Sequence, residues 1–193
     1  MKITTKENGK DFLDLILQEC EMAAANAKLT EKETMRLRLI GEELVGMLPE
    51  LLSFTNGEFW IEPYGKKIEL HLSLVPNENL DFEKREKILA ISSDGKNASA
   101  SGVMSKIKIA IEFMLIDYEN TVKVAAPFFD YGFTSDTVPA SPMWTLINYR
   151  DNVNKEKDEK WDELEKSIIA NIADDVTVGL QGNKVEITVK KSF

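Results

Sequence analysis

The chain has one cysteine, Cys20, and one histidine, His71, among its 193 residues. A single thiol excludes an internal disulfide. Because Cys20 falls on the apolar side of a helical pattern, it reads as a buried thiol suited to a reducing cytoplasm. With no second histidine to join His71, no metal site is expected. His71 lies beside Glu69 and Ser73 on the polar side of a strand pattern, where a solvated strand residue is the preferred reading and a catalytic one the alternative. No apolar run reaches the roughly 18 residues of a membrane span, and the opening MKITTKENGK lacks the apolar core of a secretion signal. Neither a membrane partner nor secretion is expected, and the cytoplasm is the expected compartment. Basic residues are also scarce: 24 Lys and Arg face 33 Asp and Glu, for a formal charge of −9. That balance argues against a nucleic-acid or anionic-membrane surface and leaves a basic or neutral partner.

What is present is a 43% apolar chain, long enough for one domain (1–193) with an insertion. Its most organised stretch is Thr30 to Ser53. Thr30 followed by Glu33 is a capping-box pattern, in which each side chain satisfies a backbone N–H left unpaired at a helix start. Leu37, Ile40, Leu44, Leu48 and Leu51 then share one helical face, and Pro49 predicts a kink or an end near Leu48. Before it, residues 11 to 28 place Leu13, Ile16, Leu17, Cys20, Ala24 and Ala27 on one helical face.

From Glu58 to Val75 the period falls to two, which predicts a hairpin turning at Tyr64-Gly65-Lys66-Lys67. A short charged helix is expected over 81–91 and another helix from Val103 to Ile116. Ser99, Ser101 and Gly102, just before the latter, are either a linker with a serine cap or a set of backbone N–H groups for an anion. Residues 119 to 145 carry Phe128, Phe129, Tyr131, Trp144 and several prolines with no period, so irregular structure is expected there. These aromatics either fold over a core edge or anchor a partner protein; the second is the expectation adopted for Val122 to Trp144. Residues 150 to 163 read as a charged, solvated stretch. At the end, Trp161, Leu164, Ile168, Ile169 and Ile172 predict a helix stopping at Ala173-Asp174-Asp175. The alternation from Val176 to Val189 predicts a second hairpin around Gly182-Asn183.

The words RLRL and EEL in the Thr30 helix, and the closing SIIANIADDVTVGLQGNKVEITVKK, resemble the GHKL ATPases of histidine-kinase-like fold, most closely the anti-sigma serine kinases. The resemblance covers 11–75 and 161–191 and leaves 76–160 as an atypical middle. It implies an α+β two-layer sandwich, with helices on one face of a mixed or antiparallel sheet that includes both hairpins. It further implies that Glu43 stands where that family has its general base, and that Met47 stands where the magnesium-binding Asn belongs. A thioether is a poor magnesium ligand. The family's adenine-holding Asp and its glycines correspond to positions near Leu74 and Pro76, and its phosphate-loop glycines to Glu163 and Glu165, where carboxylates repel a triphosphate. The expected function is therefore a degenerate GHKL-type domain without ATP chemistry, acting as a regulatory or protein-binding module and needing no cofactor; a homodimer stays open. The alternative is an active serine kinase using Glu43 and Mg-ATP.

Overall fold

The computed structural model describes residues 2–5, 10–46, 54–76, 143–155, 167–181 and 184–193, together with the helical positions Val103, Lys106, Ile107, Ala110, Ile111 and Met114. In chain order the elements are β1 (Ile3–Thr5), α1 (Lys10–Asn26), α2 (Glu31–Gly46), β2 (Phe54–Tyr64), β3 (Lys67–Pro76), β4 (Met143–Thr145), α3 (Leu146–Lys155), α4 (Ile168–Ile172), β5 (Asp175–Gln181) and β6 (Lys184–Ser192). The strands form one sheet of order β1-β2-β3-β6-β5-β4, with every neighbouring pair antiparallel. Both hairpins expected from the alternation lie in this sheet. The architecture is α+β.

The strand period puts one face of the sheet into the core. Ile3, Phe59, Leu72, Ile187, Val178 and Trp144 are successive cross-strand partners, and all six are buried. They form a single apolar row across the whole sheet, where cross-strand contact and burial reinforce each other. The next row, Trp60, His71, Thr188, Thr177 and Thr145, points to the other face. Trp144 was expected to serve a partner. As a core member of that apolar row, fully buried, it has no surface to offer. Met143–Thr145, expected to be irregular, is an edge strand, and α3 follows it where no helix was expected.

The helices close the core from the apolar side. The buried stripe of α1 is centred on Phe12, Ile16, Cys20, Ala23 and Ala24; Leu13 and Leu17 lie half-buried at its margin. On α2 the expected Leu37, Ile40 and Leu44 are all fully buried. The two helices meet closely at Gly41, where a Cβ atom would stand 2.9 Å from the Cys20 sulfur. Val103, Ile107, Ala110, Ile111 and Met114 add their face to the same core. The expected helix over 81–91, Leu48 to Ser53 with Pro49, and Trp161 and Leu164 lie outside the described residues.

One helix start and one hairpin turn are built as the sequence implied. The Thr30 amide donates to Glu33 Oε2 at 2.7 Å and the Glu33 amide to Thr30 Oγ1 at 3.3 Å, completing the capping box of α2. Lys66 Nζ, in the β2–β3 turn, lies 3.0 Å from Glu33 Oε1 and joins that cap to the sheet. The turn itself places Gly65 at φ +65°, a conformation open to glycine at little cost.

Candidate functional site

Helix α4 has five residues, too few for its own hydrogen bonds to hold it, so its ends are where the fold must act. At the N-terminus Ser167 is extended, and its hydroxyl oxygen accepts from the Ala170 amide at 3.1 Å. The same hydroxyl donates to Glu43 Oε1 at 3.1 Å, and the Ile169 amide donates to Glu43 Oε2. Both oxygens of Glu43, brought from α2, are thus taken up by the start of α4. At the other end Arg150, from α3, donates to the carbonyls of Ala170, Ala173 and Asp174, the last two at 3.2 Å. A carboxylate at the positive end and a guanidinium at the negative end both oppose the partial charges of the helix dipole. Burial lowers the pKa of Arg150, while the charges of Asp175 and Asp174 act against that shift.

The Ala173-Asp174-Asp175 run, expected to end the helix, also fastens three elements together. Asp174 accepts from Lys191 Nζ at 2.8 Å and from the Ser192 amide at 2.6 Å on β6. Asp175 accepts from the Ile147 amide at 3.1 Å, while Thr145 Oγ1 accepts from the Asn148 amide at 3.2 Å, so α3 is capped from β5 and β4. Arg150 was expected to be solvated with the residues after it; instead it is half-buried and makes three carbonyl contacts. Nothing local in the sequence marks it, because its partners lie about twenty residues downstream.

Of the expected site residues, only Glu43 and Trp144 fall within the described structure. Glu43 is placed as a helix cap and Trp144 as core. Ser99, Ser101, Gly102, Phe128, Phe129 and Tyr131 lie outside the described residues, as do Met47, Glu163 and Glu165. Leu74, near which the resemblance would put the adenine-holding Asp, is fully buried in the apolar face of β3, and Pro76 ends that strand. Neither supplies an acceptor for an exocyclic amine.

His71 is packed where a solvated residue was expected, because its cross-strand neighbours cover it. Its side chain is 17% exposed, and its ring stacks on Trp60 with centroids 4.9 Å apart and planes 6° apart. Nδ1 lies 3.1 Å from Thr188 Oγ1, and Nε2 stands 3.8 Å from a carboxylate oxygen of both Glu62 and Glu69. Lys2 Nζ lies 4.3 Å from the centroid of the Trp60 ring. The cluster ties β2, β3 and β6 together on this face of the sheet, with the Thr188 hydroxyl held on His71 Nδ1. Cys20 is buried as expected, and burial, aided by Glu19, pushes its thiol up to about 12, far from the reactive thiolate. Among the described residues no cluster of His, Cys, Asp or Glu has the makings of a metal site, and no helix is long and apolar enough to cross a membrane.

Comparison with protein-family models, with curated proteins and with solved structures gives no match for this chain.

Proposed function

We propose that the protein is a degenerate domain of GHKL type that binds another protein and carries out no ATP chemistry. The observation that carries this reading is the state of Glu43. A general base must be free to accept a proton from an attacking hydroxyl, within hydrogen-bond reach of it. Both Glu43 oxygens are instead occupied by Ser167 and the Ile169 amide. The burial of Leu74, near which the resemblance would put an adenine acceptor, supports the same reading. So do the soft Met47 at the magnesium position and the two carboxylates, Glu163 and Glu165, at the phosphate-loop positions. What remains is a folded scaffold with surfaces, and the function assigned is recognition in the cytoplasm.

Titration calorimetry with Mg-ATP tests the loss of chemistry. No saturable heat is expected at ATP concentrations up to the millimolar range. A dissociation constant below about 100 μM, equivalent to about −5.5 kcal/mol, would restore the kinase reading.

A further inference from the structure

The outer surface of the helical layer carries a groove of ≈ 630 Å³ between α1 and α2. Its apolar lining comes from Ala25 and Leu29 on one side and Met35 and Leu39 on the other. Met35 is 62% exposed, unusual for a large apolar side chain on a helix that already buries Leu37, Ile40 and Leu44 on its opposite face. On α1, Met22 (49% exposed) and Leu15 (42% exposed) share a separate face beside the groove and do not line it. Three of the six large exposed apolar side chains among the described residues therefore sit on this one helix pair.

The rim is charged, and its sign is uneven. Glu21, Glu31 and Glu42 face a single cation, Arg38, which is already paired to Glu21 at 2.7 Å. Glu31 and Glu42 have no ion pair among the described residues. Any occupant must therefore bring apolar side chains for the floor and positive charge for the rim. Both walls are helices whose backbone hydrogen bonds are internal, so the groove offers no strand edge to an extended peptide. It offers instead a ridged channel of the kind a third helix packs into. Methionines suit such a floor because they re-pack around different shapes.

We propose that this groove is the docking site of a basic amphipathic helix from a partner protein. The proposal rests on the protein-binding reading above and gives it a location and a partner chemistry. A helix with apolar residues at i, i+3, i+4 and i+7 and lysines or arginines flanking them lays the first set over Met35 and Leu39 and the second against Glu31 and Glu42. An anionic membrane or nucleic acid meets the same rim as repulsion.

The test uses a fluorescein-labelled 18-residue helical peptide of leucine and lysine, read by anisotropy at 150 mM salt, with a leucine and glutamate peptide of the same apolar pattern beside it. The full chain is expected to bind the first and to show at least tenfold weaker binding of the second. Because any cation is drawn to a protein of charge −9, two double variants of equal net charge are compared. Glu31→Lys with Glu42→Lys alters the rim, while Glu58→Lys with Glu186→Lys alters the outer face of the sheet. At least a tenfold weakening confined to the first pair, together with a peptide-induced shift of the Met35 methyl resonance in the unmodified protein, supports the groove. Equal weakening by both pairs, unshifted Met35, or no binding of the lysine peptide at 1 mM overturns it. Mg-ATP binding would remove the lost-chemistry reading while leaving the groove result standing; failure of the peptide arms without Mg-ATP binding removes the groove alone.

Discussion

Helices α2 and α4 begin with the same chemistry, a hydroxyl and a glutamate receiving the first backbone N–H groups, yet the two arrangements are built at different ranges. On α2 the pair is Thr30 and Glu33, three residues apart; on α4 it is Ser167 and Glu43, 124 residues apart. The local cap belongs to a helix of 16 residues with its own buried stripe, and it trims an end that packing already holds. The distant cap belongs to a helix of five, which exists because α2 and α3 reach over to hold it. A glutamate that looks idle on its own helix can thus be the main support of another.

Removing Glu43 gives the largest expected difference between the two. Glu43→Ala leaves the Ser167 hydroxyl and the Ile169 amide without their acceptor, a loss of about 1–3 kcal/mol in chemical denaturation. Amide exchange at Ile169 and Ala170 should quicken more than exchange in the central strands, because α4 opens before the sheet does. Uniform quickening throughout the chain would mean that Glu43 supports the whole fold rather than this helix. A double-mutant cycle of Glu43→Ala with Arg150→Ala comes next. Each end is useful only while the other keeps α4 helical, so a coupling of about 1 kcal/mol is expected, and strict additivity would show that the ends act separately. Thr30→Ala, on the local cap, is expected to cost about 0.5–1 kcal/mol, with faster exchange limited to the first turn of α2.

The smallest effect is an acid titration of the local cap. The Thr30 amide first, and then Lys66, hold Glu33 down from the ordinary value of 4.5 to about 2. Since the folded-state value is the lower one, the contribution of Glu33 is complete above about pH 4.5 and fades as the pH falls toward 2. Glu33→Gln should flatten the stability profile within that window and leave it unchanged near neutrality in shape. A profile identical to the parent below pH 4.5 would show that the Glu33 contacts are not kept in solution.

The difference in range also explains what could be read from the sequence. The Thr30–Glu33 box, both hairpins and the stripe of Leu37, Ile40 and Leu44 were legible because each is written in a window of a few residues. Glu43 was singled out through a resemblance, on a helix where its own neighbours gave it no task. Its partner Ser167 stands just before a helix start, an N-cap position that could have been read, but nothing in either segment joins the two. Arg150 was hidden in a charged stretch, and the described buried side chains of α3, Leu146 and Tyr149, fall between the aromatic and the charged segments. Trp144 misled for a related reason: a three-residue edge strand is shorter than any alternation that would announce it, so a core tryptophan passed for a surface anchor.

The close approach of Gly41 to Cys20 makes the lone thiol a clock for the helix pair. With its sulfur sealed against the backbone of α2 and its proton held far into the alkaline range, Cys20 can meet an external reagent only when α1 and α2 part. Its labelling rate at saturating reagent then counts those separations directly, one residue reporting on the natural breathing of the helical layer with no introduced probe.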